Sequence, residues 1–262
     1  MSTKILDHIV HLTPPGTVKE TADQFRQLGF NVLDGGVHAG GLTENSLVIL
    51  GDHVYLELIS APGWIDYAFL GNGSLTGPGR ISDIINGRAK LDSPLYLEEV
   101  PGGRTRPDGE ILKWVISAPA KPHGSILPFF CGDVTDRRLR VPTHPDSNSH
   151  HPCGALGVAH VLLLTAESSF ATTYKELSLV IGEQPVSHTH TEAKWHLSTL
   201  NGVRAPTLIL STPSDREQDN FVSTSNSIPG IYEVGFWVGK DGSEGSITTP
   251  FGRIVWVAGD SE

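Results

Sequence analysis

Two side chains in the first sixty residues have the types and surroundings that chemistry requires. His8 lies in the middle of the apolar run Ile5–Leu12, and Glu57 lies between Leu56 and Leu58. Both read as buried. An ionised carboxylate among leucines needs a cation, a metal or strong hydrogen bonds. Imidazole nitrogen with carboxylate oxygen suits a divalent Zn, Fe, Mn, Co or Ni ion. The same pair can also hydrogen-bond directly and only join two strands, or work without metal as acid and base. His38 is the candidate third ligand, because two histidines and a carboxylate form a recognised open metal geometry. It sits in a Gly-rich stretch that reads as a loop. His11 shares a strand with His8 but is an odd number of steps away, so it faces the opposite side and reads as a core histidine.

A second group is basic. Arg104, Arg106 and Asp108 sit in the segment Gly103–Gly109, which reads as a Gly/Pro turn before a strand. Arginine forks suit carboxylate, phosphate or enolate oxygens, and the competing reading is a local Arg–Asp pair in solvent. His188, His190 and His196 fall in polar sequence that reads as an exposed hairpin. Cys131 has no nucleophile signature around it and reads as packing. No G-x-S-x-G, phosphate loop or dinucleotide glycine pattern occurs in a usable context.

The elements that must position these residues repeat. Ile5–Leu12 is apolar and β-branched, as a strand requires. Thr17–Glu20 has the form of a capping box, and Val18, Ala22, Phe25 and Leu28 recur at helical spacing before Gly29, predicting a helix over 17–28. Strands follow at Phe30–Leu33, Ser46–Leu50 and Val54–Ser60, giving a βαβββ unit. A second copy starts near residue 157, with strand Val158–Thr165, a helix over 168–178, and strands Leu179–Ile181, Lys194–Leu200 and Thr207–Ser211. His38 follows His8 by 30 residues (38 − 8), and His190 follows His160 by 30 (190 − 160). That register supports an internal repeat. In the second copy Ile209 or Leu208 stands where Glu57 stands in the first, so His160 cannot rebuild the pair alone. The stretch 63–132 reads as a third, more worn copy, with strands at Trp64–Leu70, Glu110–Ser117 and Leu127–Cys131 and a helix at Ile81–Lys90. Residues 136–156, rich in Pro, His, Ser, Asn and Asp, read as a linker or long loop. Strands Tyr232–Gly239 and Arg253–Ala258 follow near the end.

The bulk properties bound the partners. The 262 residues suffice for one large or two small domains with a sizeable core. Hydrophobic residues make up 38% and charged residues 18%, an ordinary globular composition. A net charge of −10 argues against nucleic acid or an anionic membrane as partner. Two cysteines do not make a disulfide framework, so both read as free thiols in a reducing compartment. No signal-peptide core or ~20-residue apolar span is evident, and the expected location is the cytoplasm.

A βαβββ unit with histidine central in strand one and glutamate in strand four resembles the vicinal oxygen chelate superfamily. Leu6–His11, Gly35–His38, Thr43–Asn45, Tyr55–Glu57, Gly103–Gly109 with Trp114, and Pro128–Phe130 resemble, more narrowly, the glyoxalase-like domain family. This narrower likeness covers roughly residues 5–131. It implies an α+β fold in which repeated βαβββ modules form curled mixed sheets around a cleft. It implies a glyoxalase-like domain over 1–135, the linker at 136–156, and a third module with extra C-terminal strands over 157–262. It further implies a divalent metal on His8 and Glu57, joined by His38 or His160, with Arg104, Arg106 and Asn45 contacting a small oxygen-rich substrate. The expected chemistry is that of a lyase or isomerase, ahead of a dioxygenase, stabilising an enolate-like anion. The alternatives are a metal-free binding protein of the bleomycin-resistance type and a metal-free His/Glu isomerase or cyclase. A homodimer is compatible with all three.

Overall fold

A computed structural model describes residues 2–14, 16–38, 44–60, 66–120, 126–224, 230–239, 242–249 and 252–259. The first βαβββ module comprises β1 (Leu6–Thr13), α1 (Val18–Gln27), β2 (Leu33–His38), β3 (Glu44–Ile49) and β4 (Tyr55–Ser60). The second comprises β5 (Asp66–Leu70), α2 (Ile81–Ala89), β6 (Val100–Thr105), β7 (Ile111–Ser117) and β8 (Phe129–Asp133). Their strands close into one barrel in the order β1-β4-β3-β2-β6-β7-β8-β5. Each module pairs its first and last strands in parallel, β1 with β4 and β5 with β8. The modules join antiparallel through β1–β5 and β2–β6.

After α3 (Arg137–Arg140) the chain forms β9 (Ala155–Leu164), α4 (Glu167–Ile181), β10 (Ser187–His188), β11 (Glu192–His196) and β12 (Thr207–Ser211). Then come α5 (Arg216–Thr224), β13 (Gly230–Val238), β14 (Gly245–Thr249) and β15 (Gly252–Ala258). These strands form a seven-stranded sheet, β10-β11-β12-β9-β13-β15-β14. Strands β13, β14 and β15 repeat the pairings of β5, β7 and β8, so the tail is a trimmed fourth module. It has no described counterpart of β6, and the second sheet stays open. No helix among the described residues is long and apolar enough to cross a membrane.

The expected helices form within a few residues of their predicted bounds, because their apolar spacing matches a buried face. Val18, Thr21, Ala22 and Phe25 are buried on α1. Phe25 meets Phe30 and the edge of His11, which confirms that His11 faces away from His8. Burial pushes the His11 imidazole down to about 4, so it stays neutral at physiological pH. Thr17 does not close a capping box; its hydroxyl donates to Pro14 O.

Four local readings need correction. The segment Leu179–Ile181 is the last turn of α4, since Leu177, Val180 and Ile181 extend the helix's buried face. Strand β2 runs Leu33–His38 and not Phe30–Leu33. Its glycines belong to the strand, where a Cβ on Gly35 would lie 2.0 Å from Asn45 Oδ1. Arg104 is likewise in a strand, β6. Gly102 and Gly103 permit it, because a Cβ on Gly102 would meet the Trp114 indole at 2.3 Å. Residues 136–156, expected as a linker or long loop, contain α3 and a 3-10 turn at Asp146–Ser149, and both pack on the barrel.

Asp52 joins the halves. Its carboxylate accepts from Val54 N at 3.0 Å and from Val158 N, in β9, at 2.8 Å. Burial outweighs these two contacts and pushes the carboxyl up to about 6. A raised folded-state pKa gives stabilisation that is full below the ordinary carboxylate range and is lost as pH rises through 6. The unfolding free energy of the wild type relative to Asp52→Asn should therefore fall by about 3 kcal/mol between acid and neutral pH. Parallel urea titrations of the two proteins test this; a difference independent of pH would refute it.

Candidate active site

The barrel encloses a cavity of about 290 Å³, walled by His8, Asn45, Tyr55, Glu57, Arg104, Trp114, Phe129, Cys131 and Arg140, among others. His8 comes from β1 and Glu57 from the parallel strand β4 beside it. The register pairs His8 with Tyr55 and Val10 with Glu57. The side chains converge, with His8 Nε2 3.7 Å from Glu57 Oε2. That is too long for a hydrogen bond. Two ligand atoms each about 2.0–2.2 Å from one ion stand at most about 4.4 Å apart, so the pair could share a metal.

Each member is held from behind. Asn45 Nδ2 donates to Glu57 Oε1 at 2.5 Å. His8 Nδ1 lies 2.7 Å from Asp7 Oδ2, and its ring stacks on Tyr55 at 4.6 Å and 16°. A carboxylate only accepts, so Nδ1 carries a proton, and in the neutral ring Nε2 presents its lone pair to the cavity. A carboxylate behind an imidazole is the usual support of a metal-bound histidine, and equally of a basic one. Neighbouring residues of a strand normally point to opposite faces. Asp7 reaches His8 because the β1–β5 register shifts between Leu6 and His8.

Asp7 is completely buried. Arg140 binds it through Nη1 at 2.8 Å and Nη2 at 3.2 Å, and Arg137 Nη1 donates to its Oδ1. Burial drives this carboxyl up, but the two guanidiniums and His8 outweigh it and hold it well below the usual range. Arg140 also donates to Tyr55 Oη at 2.9 Å and binds Asp133. Arg104, only 4% exposed, donates to Gly35 O and has no carboxylate at ion-pair distance among the described residues. Burial pulls its guanidinium below the ordinary arginine value, with Tyr55 and Glu57 opposing that.

The structure thus brings together His8, Glu57, Asn45 and Arg104. It leaves Arg106 outside, paired with Asp108 at 2.7 Å and donating to Leu139 O. His38 is the last residue of β2, paired with Arg104 in a strand and not in a loop. Its side chain lies outside the described residues. His160 stands in β9, in the other sheet, 2.7 Å from Glu233 Oε1, and takes no part in the barrel cavity. Asp7, Arg137 and Arg140 were missed by the sequence reading. The only available signal was the Arg-rich run Arg137–Arg140 opening a segment read as linker.

For a divalent ion, His8 and Glu57 fit as two protein donors. In the second module Ala68 stands where His8 does, and Cys131, two residues beyond Phe129, stands where Glu57 does, so at these two positions it offers a buried thiol and no imidazole or carboxylate. Among the described residues no group of three His, Cys, Asp or Glu side chains could hold an ion. Such an ion would keep its remaining positions for substrate oxygens or water.

A closed barrel of two βαβββ modules, with a histidine and a glutamate meeting inside, is the vicinal oxygen chelate arrangement. The chain belongs to the glyoxalase-like domain family, whose model matches residues 6–178. No curated protein matches it. Among solved structures, a hypothetical protein from Staphylococcus aureus is similar at 11% identity and TM-score 0.65, covering 97% of this chain and 98% of that one. A mutant of 4-hydroxymandelate synthase from Streptomyces coelicolor is similar at 14% identity and TM-score 0.50, covering 92% and 72%. At these identities the likeness concerns the fold.

Proposed function

We propose that the barrel cavity is the active site of a metal-assisted lyase or isomerase acting on a small, oxygen-rich anion. The observation that carries this reading is the convergence of His8 Nε2 and Glu57 Oε2 at 3.7 Å, each backed by its own partner. A bound divalent ion would supply Lewis-acid polarisation of neighbouring substrate oxygens. The chain's own residues do the rest. Arg104 holds the anionic group of the substrate with donors that no carboxylate among the described residues engages. Trp114, Phe129 and the His8–Tyr55 stack limit the space around it. Asp7 fixes the tautomer of the neutral His8 ring, so that form offers a lone pair to the cavity.

Elemental analysis of protein purified without chelator should find a divalent metal. Stripping it should abolish turnover, and its return should restore it. A second reading, direct acid–base work by His8 and Glu57, is favoured by the Asp7 carboxylate behind His8 Nδ1, which supports a basic imidazole as well as a metal-bound one. Full turnover by stripped protein would establish that reading and overturn the first.

The arginines should separate cleanly. Arg104→Gln should weaken kcat/KM about ten- to a hundred-fold, the loss of a charge-assisted contact. Arg106→Gln, on the outer turn, should change it less than about twofold. Equal effects in steady-state kinetics would remove Arg104 from the substrate site.

A further inference from the structure

The open second sheet repeats the framework of the barrel site but carries a different cluster. His8 pairs with Tyr55 and Ala68, while His160 pairs with Thr207 and Gly235. Glu57 corresponds to Ile209 at the same spacing of 152 (207 − 55), so the carboxylate of the first site is missing. Another replaces it from the adjacent strand. Glu233, on β13, takes His160 Nε2 at 2.7 Å on Oε1 and Arg253 Nη1 at 3.3 Å on Oε2. Arg253 Nη2 donates to Ser246 Oγ at 3.0 Å.

The register places these groups on one face. Lys194, Ile209, Leu162, Glu233 and Arg253 are successive cross-strand partners on five strands, and Thr207, His160 and Gly235 form the row beside them. The alternate residues Ala193, Trp195, Leu208 and Leu210 belong to the core with Leu177 and Val180 of α4. The polar rows therefore face away from α4. The His160 ring also has a fitted seat. A Cβ on Gly235 would lie 2.3 Å from His160 Cε1, whereas the barrel has Ala68 at the matching position.

We infer that this face is a second binding site, separate from the barrel cavity, for a small hydroxy acid. With Nε2–H donating to Glu233, the neutral His160 ring keeps Nδ1 as an acceptor, and no described residue donates to it. That atom suits a ligand hydroxyl. Arg253, about one-third exposed, holds Glu233 through one nitrogen at long range and retains donors for a carboxylate. Glu233 fixes both groups at a common spacing and keeps the imidazole oriented.

The test uses the whole chain labelled with [15N]histidine and titrated with lactate. A saturable shift of the His160 ring signals is expected. Arg253→Gln should weaken it about tenfold, with Arg253→Lys intermediate. Acetate, which lacks the hydroxyl, should bind more weakly than lactate. Glu57→Gln should leave the titration unchanged, which separates this face from the barrel. The inference is overturned by an absence of saturation at millimolar lactate, by equal binding in Arg253→Gln, by acetate matching lactate, or by loss of binding in Glu57→Gln.

Discussion

Asp7→Asn should lower the unfolding free energy by about 3–5 kcal/mol, the scale expected when one partner of a buried ion-pair network is removed. Asparagine keeps the shape but not the charge. Two guanidiniums converge on this carboxylate, and Arg140 is 3% exposed. Asp133 would remain as their shared counter-ion, with Arg140 Nε at 2.6 Å and Arg137 Nη1 at 3.0 Å. One carboxylate cannot neutralise both, and an amide nitrogen facing an arginine adds a second donor where an acceptor is needed. Urea denaturation should show a lower midpoint with an unchanged slope. A loss below about 1 kcal/mol would mean that Asp133 alone suffices.

Glu57→Gln should separate binding from folding. The amide oxygen can still accept from Asn45 Nδ2, so thermal stability should change by no more than about 1 kcal/mol. The charged donor is gone, however, and only His8 would remain of the described pair. Affinity for Zn²⁺ or Mn²⁺ should fall by at least about a hundred-fold, more than the ten- to hundred-fold cost of removing an outer support. Calorimetric titration of stripped wild-type and variant protein measures this directly. Equal affinities would show that an ion, if bound, is not held by Glu57. The site would then be better described as an acid–base pair.

His8 and Glu57 were legible in the sequence because strand periodicity and flanking leucines mark a polar residue that must be buried for a reason. Arg104 was legible as an available fork, but its strand was not. Gly102 and Gly103 look like turn residues until Trp114 is seen lying across them. Asp7 was illegible for a geometric reason. Period-two alternation sends it away from His8, and only the register shift against β5 reverses that. Arg140 was hidden by composition, since its four-residue helix sits at the start of a Pro- and His-rich stretch. The trimmed fourth module was hidden too. Its strand pairings repeat those of the second module, but its helix and one strand have no described counterpart.

The anchoring of Asp7 by α3 also decides how the molecule can be divided. By topology the barrel is complete at β8, and a cut just after Asp133 would appear to release a finished unit. Such a fragment would contain His8 and Glu57 but not Arg137 or Arg140, and it would enclose a carboxylate whose positive partners had been left on the other piece. Two further stitches lie later still: His151 Nδ1 accepts from Asn31 N at 2.9 Å, and its Nε2 lies 2.9 Å from Ile49 O. The barrel's supports therefore run past its last strand, and Asp52 and the shared core with Phe30 and Phe236 carry them on into the second sheet, so no cut between the two sheets leaves either half intact.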